Sequence, residues 1–203
     1  MSLARRLWDA NRDGAERILA HGFVRGLGDG SLPAGRFKAY VAQDAWFLEA
    51  FARAYALCLA NGTSRDDLEA FAGLIAGVVE ELKLHAGYAA RLGIDMAGVS
   101  PVPATTAYVD FLLETARRGM LGETIAAMTP CMRLYAFLGR ELARGPVAPA
   151  YAEWVRTYAD PGFEAMAAGL ETLLDRHAAD TAAVRANYRR AMELEFGFFD
   201  ANA

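Results

Sequence analysis

Cysteine, histidine and long apolar runs are scarce in this sequence, and each shortage excludes a class of protein. The 203 residues include only two cysteines, Cys58 and Cys131, which are too few for a disulfide scaffold. Metal sites in helical bundles normally use matched carboxylate–histidine pairs, and the three histidines supply one such pair, Glu81 and His85. No apolar stretch approaches the roughly 18–20 uncharged residues of a membrane-spanning helix. We therefore expect no metal, no cofactor and no membrane partner.

Positive charge is also in short supply. The chain has 21 basic and 25 acidic residues, and no run of Lys or Arg exceeds two residues. With a pI near 5.4, binding to nucleic acid through a basic face is disfavoured. No long apolar run precedes Asp9, so we expect no secretory signal, a cytoplasmic location and reduced thiols.

The residues that are abundant favour helices. Apolar side chains make up 54% of the sequence, strong helix formers dominate, and apolar residues recur every three or four positions. We predict an all-α chain, a single domain over residues 1–203, with seven to eight helices. They run from about Leu3 to His21, Pro33 to Ala60, Ser64 to Leu92, Thr105 to Arg118, Leu121 to Arg144 with an interruption at Pro130, Pro146 to Asp160, Pro161 to Ala178, and Asp180 to Phe199. The segment from Gly26 to Pro33 is a turn-rich connection, Ser64 and Asp67 form a capping-box-like start, and Thr105 or Thr106 caps the fourth helix.

An acid stands on the apolar face of the second predicted helix. Asp44, Phe47 and Phe51 fall at spacings of three and seven residues and so share one face. A carboxylate on a core-facing surface must be hydrogen-bonded or shifted towards its neutral form. It is either a structural acid bonded to a backbone group or an arginine, or part of a functional site.

The segment around Cys131 offers a candidate nucleophile. Pro130 lacks an N–H group, so the helix is expected to kink or restart there. In a restarted helix, Cys131 would lie in the first turn, where the pKa of a thiol is lowered, with Tyr135 one turn further on. The competing interpretation is a small buried hydrophobe, which is the interpretation we adopt for Cys58.

The last predicted helix is rich in aromatic residues and carries another candidate acid. Glu195 and Phe198 are three residues apart, and Tyr188 lies two turns before Glu195. Such a glutamate is either a solvated edge residue or a proton-transfer group held in an aromatic environment.

Taken together, these positions resemble one protein family, the TenA/thiaminase II family, over nearly the whole chain. The run from Gly28 to Pro33 and on to Gln43-Asp44 is the most specific part of the resemblance. The matching residues are Leu7, Trp8, His21, Gly22, Phe23, Gly28 to Pro33, Phe37, Tyr40, Gln43, Asp44, Phe47, Leu48, Glu81, His85, Tyr88, Thr106, Ala107, Tyr108, Pro130, Cys131, Tyr135, Gly139, Trp154, Tyr158, Glu195, Phe198, Phe199 and Asp200.

The resemblance implies a haem-oxygenase-like helical bundle that binds no haem and assembles as a homotetramer. It implies a hydrolase that acts at the methylene carbon of 4-amino-2-methylpyrimidine compounds, either thiamin or its breakdown product aminomethylpyrimidine. The product, hydroxymethylpyrimidine, would then be salvaged.

The same resemblance implies a role for each site residue. Cys131 would add to the pyrimidine ring, Asp44 would hold a ring nitrogen and the exocyclic amine, and Glu195 would transfer protons, oriented by Tyr158. The residues that would line and stack on the ring are Phe47, Tyr108, Tyr135 and Phe198. Together with Tyr158 they form the implied substrate-binding set.

Three positions depart from the family pattern. Phe47 stands where tyrosine is frequent, and Arg133 and Phe199 stand where tryptophan is common. Arg133, two residues after Cys131, would either lower the pKa of the thiol or indicate an anionic substrate. Two alternatives stay open: a di-iron oxidase that uses Glu81 and His85, and a non-catalytic pyrimidine-binding or regulatory protein on the same scaffold.

Overall fold

A computed structural model describes all 203 residues and contains only helices and their connections. This confirms the predicted all-α class. The helices are α1 (Leu3–Ala10), α2 (Arg12–Leu19), α3 (Gly22–Asp29), α4 (Ala34–Asn61), α5 (Arg65–Leu92), α6 (Pro103–Arg117), α7 (Leu121–Leu142), α8 (Ala152–Ala159), α9 (Pro161–His177) and α10 (Ala182–Ala201), with 3-10 turns at Met96–Gly98 and Pro149–Tyr151.

Helix α7 is the central element of the bundle. Every residue from Thr124 to Gly139 is buried. Its most extensive contacts are with α8, α9 and α10, and it also contacts α4 and α6. A side chain on α7 therefore faces another helix in every direction, so any polar group on this helix needs a partner from a neighbouring one.

The structure has more helices than the predicted seven to eight, because the first segment is broken twice. At Asn11, the side-chain Nδ2 donates to the carbonyl oxygen of Leu7, and α2 starts at the next residue. At His21, ring Nδ1 accepts from the N–H of Phe23 and caps α3. The predicted turn after Gly26 is therefore helical as far as Asp29, and it ends at Gly30, whose φ of +84° suits glycine.

Of two predicted helix starts, one is confirmed and the other is wrong. The capping box at Ser64 is confirmed: its hydroxyl accepts from the N–H of Asp67, and the Asp67 carboxylate accepts from the N–H of Ser64. The predicted cap at Thr105 or Thr106 is wrong, since α6 already begins at Pro103. The Thr105 hydroxyl instead donates to the side chain of Gln43 at 2.8 Å.

None of the ten helices combines the length and the apolar character that crossing a bilayer requires.

Close packing of α7 against α8 generates the first prediction. A Cβ added at Gly139 would lie 2.6 Å from the backbone N of Ala159 and would also collide with the backbone of Tyr158. Because backbone atoms cannot rotate away, we expect Gly139→Ala to destabilise the protein by about 1–3 kcal/mol. At roughly 2–4 °C per kcal/mol, the loss is measurable by thermal unfolding followed by circular dichroism.

Gly169 on α9 provides the matched control, because nothing lies within 4 Å of its added Cβ. Gly169→Ala should leave the melting temperature unchanged or raise it, as alanine favours a helix interior. Equal melting temperatures for the two variants would contradict the proposed α7–α8 contact.

Candidate active site

Asp44 faces the core from α4 and is paired there with a histidine. Its Oδ2 lies 2.6 Å from Nε2 of His85, with the side chains 4% and 3% exposed. The other ring nitrogen, Nδ1, lies 2.9 Å from the carbonyl oxygen of Glu81. Burial opposes the charged imidazole, but the Asp44 carboxylate outweighs it and raises the pKa of His85 to about 9. His85 is therefore an imidazolium at neutral pH, and Asp44 has this cation as its partner, not an arginine.

Glu195 projects from α10 into the same interior. Its Oε1 accepts a hydrogen bond of 2.8 Å from the hydroxyl of Tyr108 on α6. Burial raises the pKa of Glu195 to about 8, although the Tyr108 hydrogen bond and the nearby Cys131 thiol oppose the shift. Of the two interpretations drawn from the sequence, the solvated edge residue is wrong.

Cys131 lies in the middle of α7, because the helix runs through Pro130 without restarting. The expectation of a lowered thiol pKa is therefore wrong. Burial, and then the negative charges of Glu195, Glu81 and Asp44, raise the pKa of Cys131 well above its usual value. The thiol is protonated in the free protein and needs a base to become a nucleophile.

Tyr158 has a different partner from the one implied by the resemblance. Its hydroxyl donates to Oε1 of Glu81 at 2.5 Å, and it is Tyr108 that bonds to Glu195. Burial and the charge of Asp44 raise the pKa of Glu81 to about 7. Glu81 also lines a cavity of about 610 Å³ at the protein surface, between α5, α8 and the start of α9. It therefore links the buried residues to the surface.

Aromatic rings surround these polar groups. The Phe47 ring lies 4.6 Å from that of Tyr108 and 6.1 Å from that of Phe198. Tyr135 packs edge-on against Tyr158, with 4.8 Å between ring centroids. All five predicted substrate-binding side chains are buried. Flat apolar faces beside buried acids suit a planar heterocycle with polar edges.

Three groups that are distant in the sequence share one electrostatic environment. The charge of Asp44 acts on Cys131, on Glu195 and on Glu81, and Glu195 interacts with Cys131 directly. The structure therefore brings the predicted acid, thiol and second acid together. We name the set Asp44, Glu81, His85, Cys131 and Glu195 the acid–thiol cluster.

The departures at positions 133 and 199 lie outside this cluster. Arg133 binds Glu171 with two hydrogen bonds, of 2.8 and 2.6 Å, and Glu164 with one of 2.6 Å, so it is directed towards α9. It neither lowers the pKa of Cys131 nor provides an anion site. Phe199 is fully buried and stacks on Tyr40 and Tyr135 behind the cluster. The hydrophobic role predicted for Cys58 is confirmed: it is buried, and burial raises its pKa to about 12.

Reasoning from the sequence missed two roles. Glu81 and His85 were considered only as metal ligands, although their spacing of four residues already placed them on one face of α5. Gln43 was not assigned any function. Its side chain bonds to the backbone of Ser100 and Val102 and to the hydroxyl of Thr105, so it anchors the start of α6, the helix that carries Tyr108.

The structure gives the di-iron alternative no support. Both ring nitrogens of His85 are already occupied, by Asp44 and by a backbone carbonyl group. No group of three or more His, Cys, Asp or Glu side chains is arranged to hold a metal ion.

The fold and the cluster define a class of protein: an all-α bundle with a buried acid–thiol site. Residues 8–203 match the sequence model of the TENA/THI-4/PQQC family, and the chain belongs to this family. An aminopyrimidine aminohydrolase of Halalkalibacterium halodurans is 35% identical over 185 residues, covering 88% of this chain and 83% of that protein. The bifunctional TH2 protein of Arabidopsis thaliana is 36% identical, and the match spans 86% of this chain but 33% of that protein.

Solved structures show the same fold. A TenA family transcription regulator from Silicibacter sp. TM1040 superposes with a TM-score of 0.91 at 26% identity, covering 98% of this chain and 95% of that one. A TenA homologue from P. horikoshii OT3 has a TM-score of 0.91 at 24% identity, with 100% and 98% coverage. The helical bundle expected from the resemblance is confirmed.

The position of Arg133 generates the second prediction. Its side chain is 10% exposed, and its removal leaves the partly buried Glu171 without a cation. We expect Arg133→Met to destabilise the protein by about 1–3 kcal/mol, less than for a fully buried pair because both carboxylates reach solvent. Thermal unfolding measures this loss. Any turnover of the folded variant should keep the wild-type pH dependence, and a shifted pH profile would show that Arg133 acts on the cluster.

Proposed function

We propose that this protein is a hydrolase of thiamin salvage that acts on 4-amino-2-methylpyrimidine compounds, with Cys131 as nucleophile. The observation that carries the proposal is the meeting of Asp44, Cys131 and Glu195 in one aromatic-walled interior. The relatives named aminopyrimidine aminohydrolase support the same reaction class. The homotetramer and the cytoplasmic location stay predictions.

Binding of the pyrimidine rests on its shape and on its polar edge. The ring would lie against Phe47, Tyr108 and Phe198, whose faces favour stacking. One edge of the ring carries an amine donor beside a nitrogen acceptor. Oδ2 of Asp44 is held by His85, so Oδ1 would receive the amine. The His85 cation keeps this carboxylate in place in a site that excludes water.

Activation of the thiol requires Glu195. Because Cys131 is protonated in the free protein, the S–H proton would pass to Glu195 as sulfur bonds to a ring carbon, with the electron pair moving to a ring nitrogen. The pair then returns and expels the substituent. An amine leaves with the proton from Glu195. Thiamin loses its thiazole without a proton, and Glu195 then releases its proton to solvent before water adds.

Hydrolysis completes the cycle. Water adds to the exocyclic methylene carbon and gives its proton to Glu195, and the sulfur departs and recovers a proton. The net change is replacement of the amine by a hydroxyl group, with release of ammonia. A carboxyl group whose pKa is raised to about 8 can both accept and donate protons near neutrality.

The nucleophile can be tested with the two cysteines of the chain. We expect Cys131→Ala to lose at least about 100-fold in kcat for aminomethylpyrimidine and for thiamin, because addition to the ring needs a nucleophile. Cys58→Ala is the control, since Cys58 is buried and has no part in the proposed steps. Product formation is followed by chromatography.

The outcomes of this experiment are distinct. Wild-type turnover by Cys131→Ala removes the thiol from the mechanism. Tight pyrimidine binding by the wild-type protein without product would favour the non-catalytic binding protein instead.

The raised pKa of Glu195 predicts a pH dependence. Glu195 must be ionised to accept the thiol proton, so kcat/KM for thiamin should rise with pH and level off above about 8. Thiamin is the suitable substrate, because its leaving group takes up no proton. The rise is measured between pH 6 and 9 in buffers of constant ionic strength.

Glu81, with a pKa of about 7, is the other group that could produce this rise. Glu81→Gln should retain the same dependence if Glu195 is responsible. Activity that is constant or falls between pH 6 and 8 would contradict the assignment of Glu195 as the base.

A further inference from the structure

Three buried tyrosine hydroxyls have no hydrogen-bond partner within the protein, those of Tyr55, Tyr88 and Tyr188. Tyr55 and Tyr188 are both fully buried. Most buried hydroxyls are satisfied, so an unpaired one indicates a group that something else completes. The two tyrosines therefore differ only in where they lie.

Tyr55 lies on the face of α4 that carries Asp44. It follows Asp44 by eleven residues, about three turns, with Phe47 and Phe51 between them on the same face. Side chains of a helix lean towards its N-terminus, so the hydroxyl of Tyr55 is directed back along α4 towards the cluster. The Tyr55 ring packs edge-on against Phe51 at 4.9 Å.

The titratable groups that influence the Tyr55 hydroxyl locate it further. Burial, and then Cys131, Cys58 and Glu81, raise the pKa of Tyr55 well above its usual value. Two of these three groups belong to the cluster. Tyr188, in contrast, has its pKa raised by burial and by Glu171 and lowered by Arg133, the pair directed towards α9.

The other tyrosines of the site have already used their hydroxyls. Tyr108 donates to Glu195 and Tyr158 donates to Glu81. Tyr40 and Tyr135 bond to each other at 3.2 Å. Tyr88, whose ring lies 6.0 Å from that of His85, also has an unpaired hydroxyl, but the charges that act on it are those of Glu153, Arg91 and Arg156. Tyr55 is the tyrosine with an unpaired hydroxyl that is influenced by Cys131.

A pyrimidine has two ring nitrogens, and Asp44 faces the edge that carries the exocyclic amine. The nitrogen on the opposite edge is out of its reach, and this acceptor needs a donor because it loses its water on entering the site. We propose that the Tyr55 hydroxyl donates a hydrogen bond to this second ring nitrogen and so fixes the ring from the side remote from Asp44. The inference rests on the proposed function for the class of ligand.

The test compares Tyr55→Phe with Tyr188→Phe. Both substitutions remove one unpaired buried hydroxyl and leave the ring in place, so both should keep or raise the melting temperature of the free protein. Calorimetry then measures the affinity for the hydroxymethylpyrimidine product. We expect Tyr55→Phe to weaken binding roughly 3- to 10-fold and Tyr188→Phe to leave it unchanged.

A second ligand identifies the contact. In the pyridine analogue, a C–H group replaces the ring nitrogen remote from the amine. Wild-type protein should bind this analogue more weakly than the pyrimidine, and Tyr55→Phe should bind it no more weakly than the wild type does. Such a cycle separates a direct hydrogen bond from a general change in the site.

Three results would overturn the inference. If Tyr55→Phe binds the pyrimidine as tightly as the wild type does, the proposed hydrogen bond does not exist. If its melting temperature clearly falls, the hydroxyl has a structural role. Equal weakening of the pyrimidine and the analogue shows an indirect effect. In each of these cases the proposed function stands, whereas a wild-type protein that neither binds nor converts the pyrimidine overturns both.

Discussion

The pairing of Asp44 with His85 is the interaction on which the buried site depends. Helices α4 and α5 are joined by three residues and share the most extensive contact between any two helices, and this ion pair crosses it at 2.6 Å. The half-buried Glu81 and the buried Glu195 face the same site, so a further buried acid without a cation would be costly. The imidazolium supplies that cation, and its second N–H is satisfied by the backbone of its own helix.

The remaining acids respond to burial by holding protons. The pKa values of Glu81 and Glu195 rise to about 7 and about 8, and the Cys131 thiol stays protonated. These three groups therefore carry exchangeable protons and little negative charge near neutral pH. A site of this kind does not need a thiolate before substrate arrives, because nucleophile and base can act in one step. Cys131 and Glu195 are close enough to influence each other's pKa, which suits such a transfer.

Local sequence patterns predicted the features that depend on a single helix, such as its faces and caps. They did not predict which side chains meet between two helices. The three- and seven-residue spacing placed Asp44 on the core face, and Ser64 with Asp67 marked the start of α5. The hydroxyl partners of Glu195 and Glu81 come from residues 87 and 77 positions away, and no local pattern encodes which tyrosine reaches which acid. Pro130 breaks isolated helices, but packing on all sides of α7 outweighs this preference.

Helix geometry also explains why the substitution at position 133 is compatible with the cluster. Two residues along a helix rotate a side chain by about 200°, so Arg133 and Cys131 point to opposite sides of α7. One side meets Glu195 from α10, and the other meets Glu164 and Glu171 from α9. Because α7 has no solvent-facing side at this level, a guanidinium there is tolerated only with carboxylates facing it. The presence of arginine here is thus a matter of α7–α9 packing, independent of the chemistry on the opposite face.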